Sequence, residues 1–215
     1  MNQERNYNFL FFGYFLIYVP WFSYLEKHVT YFHQMNTYLD NNIPFCKYFV
    51  IPYITWFFYV GFAYIYFYNK ADQLFKQMGM FLTLGMTIAL LICTIFPNGL
   101  YEFRPDNIQN NDIFDKLILF IYSSDTSTNV FPSIHVYNSI GVNLAIQKFN
   151  NFKYNKIVHF GSNLLCILIC MSTILIKQHS LYDVMGSIIL AIIIYQFTYK
   201  TQNKEVFIKE KTSKN

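Results

Sequence analysis

Of the 215 residues, 54% are apolar, 21% aromatic and only 13% charged. A soluble domain has about a quarter of its residues charged, so this balance belongs to a chain that faces lipid and excludes intrinsic disorder, collagen and coiled coil. The net charge of +4 comes from Lys and Arg scattered singly along the chain up to a Lys-containing tail, a pattern that builds no nucleic-acid surface.

In chain order, uncharged apolar stretches cover approximately residues 8–25, 48–68, 77–96, 132–147, 157–176 and 180–198, most of them near the ~20 residues that cross a bilayer. The first ends in Pro20-Trp21-Phe22-Ser23-Tyr24 without a small-x-small cleavage site, so it reads as a helix and not as a signal peptide. The only long connection, residues 97–131, is polar except where Ile113, Phe114, Leu117, Ile118 and Ile121 recur at helical spacing. That spacing predicts a short helix lying in the interface. Residues 157–198 are almost continuously apolar, and one helix of that length would be about twice the hydrocarbon thickness. The chain must therefore turn at Lys177-Gln178-His179-Ser180. The expectation is an all-α membrane protein: a six-transmembrane-helix bundle with a short interfacial helix between helices 3 and 4. It forms one domain over residues 1–199, with a polar cytoplasmic tail over 200–215.

Counting basic residues in alternate loops gives eleven on the side of Arg5, Lys70, Lys153 and the tail, and five on the side of Lys27, Lys47, Arg104, Lys116 and Lys177. The positive-inside rule then puts both termini in the cytoplasm. Cys46, Cys93, Cys166 and Cys170 show neither zinc spacing nor a disulfide framework, and read as core side chains, with no metal expected.

The opposite face collects the unusual residues: Arg104-Pro105, Pro132-Ser133-Ile134-His135, and the segment from Ser172 to Asp183. His179 and Asp183 are four apart, so on one helix face the carboxylate can hold the imidazole Nδ1–H and sharpen Nε2 as a nucleophile. Pro132 at the first position of a helix leaves free N–H groups which, with the Ser133 hydroxyl, form an anion site. His135 stands close enough to give a proton to an oxygen leaving that anion, and Arg104 adds a planar donor suited to phosphate. Taken singly, these are an interhelix hydrogen bond, a capping Ser, a core His and a solvated Arg. Together they are the parts of a phosphoryl-transfer site.

These residues resemble the type 2 phosphatidic acid phosphatase superfamily of membrane lipid phosphatases and phosphotransferases, whose motifs are K-x6-R-P, P-S-G-H and S-R-x5-H-x3-D on a six-helix core. This chain has Arg104-Pro105, Pro132-Ser133-Ile134-His135, and Ser172-Thr173 followed by His179 and Asp183. It departs from the pattern at Pro97, Ile134 and Thr173, which stand where the family has Lys, Gly and Arg. The resemblance implies His179 as the nucleophile forming a phosphohistidine, Asp183 as its orienter, His135 as the proton donor, and Ser133 and Arg104 as phosphate ligands, with no cofactor. Lys177, four residues after Thr173, has the reach to supply one of the missing cations.

The expected activity is a lipid phosphate or diphosphate phosphatase in the cell membrane, with an extracytoplasmic site and a phosphorylated membrane lipid as partner. A head-group transferase that passes the phosphoryl group to an alcohol would use the same residues. A transporter or other non-enzymatic bundle would use them only for packing. The site lacks the clustered carboxylates of a magnesium-dependent phosphatidyltransferase, and Ser133 lacks the glycine-rich elbow of a serine hydrolase.

Overall fold

The computed structural model describes residues 10–149 and 155–200. The expected tail over 200–215 lies outside them except for Lys200. Seven α-helices are described: α1 (Phe15–His28), α2 (Val50–Lys70), α3 (Asp72–Ile95), α4 (Ile113–Ser124), α5 (Ile134–Lys148), α6 (Lys156–Leu175) and α7 (Leu181–Tyr195), the last continued by a π-helical turn, Gln196–Lys200. Among the described residues four segments are long and apolar enough to cross a membrane: Lys47–Lys70, Asp72–Ile95, Lys156–Leu175 and Leu181–Lys200.

Helices α1 and α5 are shorter, with 14 and 15 residues. For α5 the reason is its position. It packs against α2, α3, α6 and α7, and its buried residues include His135, Asn138, Ser139, Val142 and Ala145. A helix surrounded by protein on all sides has no apolar stripe to present to lipid, and polar side chains are tolerated where neighbours satisfy them. Close approach of α3 to α5 depends on Gly85, where a Cβ would stand about 2.0 Å from the Tyr137 ring. That ring stacks on Phe81, with centroids 4.7 Å apart, and its hydroxyl donates to the Phe81 carbonyl at 2.7 Å.

The helix predicted in the long connection is present as α4. The Asp112 carboxylate caps it by accepting from the Asp115 N–H at 2.9 Å, a contact worth about 1 kcal/mol. Its face bearing Ile118 and Ile121 packs on Val50, Tyr53 and Ile176. The predicted turn between the last two helices is also present, with α6 ending at Leu175 and α7 starting at Leu181. The sequence carried no sign of the pairing between the first and long connections. His33–Gln34 forms a two-residue parallel ladder with Asn98–Gly99. With the Cys46 N–H donating to the Leu175 carbonyl at 2.9 Å, this gathers the 29–49, 97–131 and 176–180 segments at one end of the bundle.

Candidate active site

His179 and Asp183 come together, but by a different local structure from a shared helix face. His179 precedes the helix: Ser180 is the N-cap of α7, and its Oγ and the Asp183 carboxylate form a reciprocal capping box. The box draws Asp183 Oδ2 back to the Ser180 N–H at 2.8 Å, which leaves it 3.4 Å from His179 Nδ1. Asp183 is fully buried, and its Oδ1 has no partner.

His135 stands one residue into α5, with its ring centroid 5.7 Å from that of His179. Tyr53 and Trp56 of α2 flank it at 4.5 and 4.4 Å. Both imidazoles line one small cavity of mixed character with Asp125, Thr126, Asn129 and Gln178 on its polar side and Phe22, Leu90 and Ile134 among its apolar walls. The ends of α5 and α7 are tied together behind it, since the Ser187 hydroxyl is within 2.8 Å of the Ser133 carbonyl and 2.7 Å of the Asp183 carbonyl.

Three expectations need correction in detail. Pro132 is not the first residue of α5 but precedes its N-cap, Ser133, and the helix starts at Ile134. The Ser133 hydroxyl accepts from the Val136 N–H at 3.4 Å and the residue is fully buried, so its oxygen is engaged in the cap and does not line the cavity. Lys177 is not brought to the histidines. It adopts a left-handed backbone with φ 57°, the conformation that closes helix α6 and normally favours glycine. Its ammonium donates to the carbonyls of Asp40 at 2.9 Å and Ile43 at 2.7 Å and lies 4.9 Å from the Phe103 ring centroid. Thr173 is fully buried, with its hydroxyl on the Cys170 carbonyl, so no vacated space awaits an ammonium there.

Arg104 reaches the site through an intermediary. Its guanidinium donates to the carbonyls of Tyr122, Asp125 and Thr126, covers the Tyr122 ring at 4.3 Å and binds Gln178 Oε1. Burial lowers its pKa from the ordinary value, against the pull of Tyr122 and Asp125. Gln178 Nε2, in the cavity with His179, and Arg104 Nε, on the guanidinium behind Gln178, are buried donors without partners, and a donor in that cavity is what an oxyanion requires.

Sequence reasoning missed four contributors. Asp125 has its carboxylate bonded by the Tyr53 hydroxyl at 3.1 Å, and burial raises its pKa, with His179 opposing. Gln178 is described above. Glu26 of α1 holds the segment 126–129 by accepting from the Thr126 N–H at 3.2 Å and from Asn129 Nδ2 at 2.9 Å. Asp40 is fully buried, and its Oδ1 accepts from the Leu181 N–H, the first of α7, at 2.9 Å. None belongs to a spacing motif. Only the interruption at residues 177–180 pointed toward one of them.

A second, larger cavity of about 630 Å³ is lined almost wholly by apolar side chains, among them Ile54, Trp56, Phe57 and Phe58 of α2 and Leu117, Phe120 and Ile121 of α4. Tyr18, Phe22, Asp125, Ile134 and His135 line both cavities. Among the described residues, no group of three or more His, Cys, Asp and Glu side chains is arranged to hold a metal ion.

Comparison with curated proteins returns no match, and comparison with solved structures returns none either. The model of the PAP2 superfamily matches residues 78–207, more than half of the chain and all three motif segments. The chain is a member of the PAP2 superfamily, a family of phosphatases and phosphotransferases acting on phosphorylated substrates.

Proposed function

We propose that this protein is a six-span membrane lipid phosphate or diphosphate phosphatase that works through a phosphohistidine on the extracytoplasmic face. The observation that carries the lipid reading is the large apolar cavity, which shares Tyr18, Phe22, Asp125, Ile134 and His135 with the small cavity of the two histidines. A phosphate in the small cavity would have its hydrocarbon tail in the large one, between α1, α2 and α4, with α4 lying in the interface.

In the first step His179 Nε2 attacks phosphorus. The bond from phosphorus to the lipid oxygen breaks, and His135 gives its proton to that oxygen, releasing the alcohol, or the monophosphate when the substrate is a diphosphate. Asp183, 3.4 Å from Nδ1, orients the ring and stabilises the positive charge that the imidazole acquires. In the second step water attacks the phosphohistidine, its proton passes to His135, and inorganic phosphate leaves. Gln178 Nε2 would donate a hydrogen bond to an equatorial oxygen and the Arg104 guanidinium behind it would supply the compensating positive charge, the part that Lys177 was expected to share. Ser133 would act by fixing the first turn of α5.

The test is phosphate release from a panel of lipid phosphates and diphosphates by the detergent-purified protein with EDTA present. Release by the parent, trapping of acid-labile, base-stable phosphate on the protein, and loss of both in His179→Ala are expected. Full activity in His179→Ala would overturn the mechanism, and release that requires an added alcohol would make the protein a transferase. For the sidedness, a thiol introduced near Asn110 should react with an impermeant reagent in intact cells while one near Lys204 is spared. The reverse pattern would put the site on the cytoplasmic face.

A further inference from the structure

Asp125 is poorly accounted for by the proposed chemistry. A carboxylate beside a phosphate dianion repels it, yet Asp125 lines both the histidine cavity and the apolar cavity. Among the described residues its carboxylate accepts one hydrogen bond, from the Tyr53 hydroxyl at 3.1 Å. Arg104 does not neutralise it by direct pairing, because the guanidinium binds the Asp125 backbone carbonyl at 2.7 Å. Nearby, Asn129 Oδ1 is a buried acceptor without a partner, its amide nitrogen being held by Glu26. Asp125 thus keeps acceptor capacity beyond its one bond from Tyr53, and the unpaired Gln178 Nε2 of the same cavity makes no hydrogen bond to it. An acceptor left unpaired in a partly desolvated site is unfavourable, and a donor supplied by the ligand relieves it.

We propose that Asp125 is a specificity-determining residue that takes a hydrogen bond or charge contact from a hydroxyl or ammonium group carried by the lipid next to its phosphate. This rests on the reading of the site as one for lipid phosphates. It narrows the substrate class to phosphomonoesters with a donor on the carbon beside the ester carbon, as against phosphates of plain long-chain alcohols. The position of Asp125 fits that assignment: the shared wall of the two cavities is where the ester-bearing end of the tail must sit.

Matched probes test it: hexadecyl phosphate, 2-hydroxyhexadecyl phosphate and 2-aminohexadecyl phosphate, differing at one carbon. The parent should turn over the hydroxy and amino lipids with kcat/KM at least about tenfold above the plain one, as sites built to bond a substrate donor discriminate against analogues lacking it. In Asp125→Ala that ratio should fall to within threefold, chiefly by losing the preferred substrates. Asp125→Asn, which keeps an acceptor for the hydroxyl but no charge, should retain part of the hydroxy preference and lose the amino preference. Equal turnover of all three by the parent, an unchanged ratio in Asp125→Ala, or an equal loss on every probe would overturn the assignment, the last marking Asp125 as a proton-transfer or purely structural group. Binding of the same lipids to His179→Ala in nanodiscs separates this from the reaction itself. A tenfold affinity ratio that disappears in the His179→Ala, Asp125→Ala double variant supports the assignment even if no lipid is hydrolysed, and equal binding of all three overturns it.

Discussion

The two ends of the bundle are built on opposite principles. At one end the core is aromatic and closed: Phe67, Phe75, Phe81, Tyr137 and Tyr199 are buried together, with edge-to-face contacts such as Phe12 on Tyr68 at 5.4 Å and Tyr64 on Phe75 at 5.8 Å. At the other end the core is polar and incompletely paired. Among the described residues, ten buried side-chain nitrogen or oxygen atoms have no hydrogen-bond partner, and seven of them belong to Trp56, Arg104, Asn129, His135, Gln178, His179 and Asp183. One of them, His179 Nδ1, faces Asp183 Oδ2 at 3.4 Å, and such a concentration of polar atoms without hydrogen bonds inside the protein is what a site built for a polar ligand shows. The aromatic end supplies the rigidity against which the polar end is held unsatisfied.

This contrast can be broken from either side. The largest expected effect is at the polar end, where Asp183→Asn should lower kcat by several orders of magnitude, by analogy with the orienting carboxylate of hydrolase triads, while thermal unfolding in detergent changes little. At the aromatic end, Phe81→Ala should cost about 3–5 kcal/mol of stability and lower the unfolding temperature, with activity per folded molecule within a few fold of the parent. If instead Phe81→Ala removed activity without loss of folded protein, the division of labour would be wrong. Gly85→Ala drives a methyl group into the Tyr137 ring and should cost about 1–3 kcal/mol in the same assay.

A smaller effect is expected at the margin of the polar end. Lys177→Met leaves the Asp40 and Ile43 carbonyls without their donor and should cost about 1–3 kcal/mol. Because those contacts and the Asp40 bond to Leu181 hold both flanks of Gln178-His179, kcat should fall several-fold while KM is little changed. A phosphate ligand would instead raise KM for every substrate, so the split between the two constants distinguishes a clamp from a binding cation.

Much of the helical layout was legible because lipid exposure imposes a composition that continuous apolar runs reveal, and because Lys177-Gln178-His179-Ser180 interrupts the last run. The α4 helix was legible from its spacing. The histidines and Asp183 were legible as a set because their chemistry is specific. Lys177 was misread because helical periodicity was extended one turn past Leu175, where the chain leaves the helix through a left-handed residue and swings the side chain toward the first connection. Asp125, Asp40 and Glu26 were illegible for a different reason. Each is one acidic residue in or beside a polar loop, and only tertiary pairings such as His33 with Asn98 bring those loops to the site.

The region matched by the PAP2 superfamily begins at residue 78, yet Tyr18, Glu26, Asp40, Tyr53 and Trp56 all stand before it. The two histidines and Asp125 thus lie inside the matched region, while one side of the walls around them comes from the first third of the chain. A chimera that keeps residues 78–200 and exchanges the preceding segment for that of another superfamily member should keep phosphate-ester hydrolysis and the preference set by Asp125, while the shape of tail it accepts follows the exchanged α1 and α2 walls.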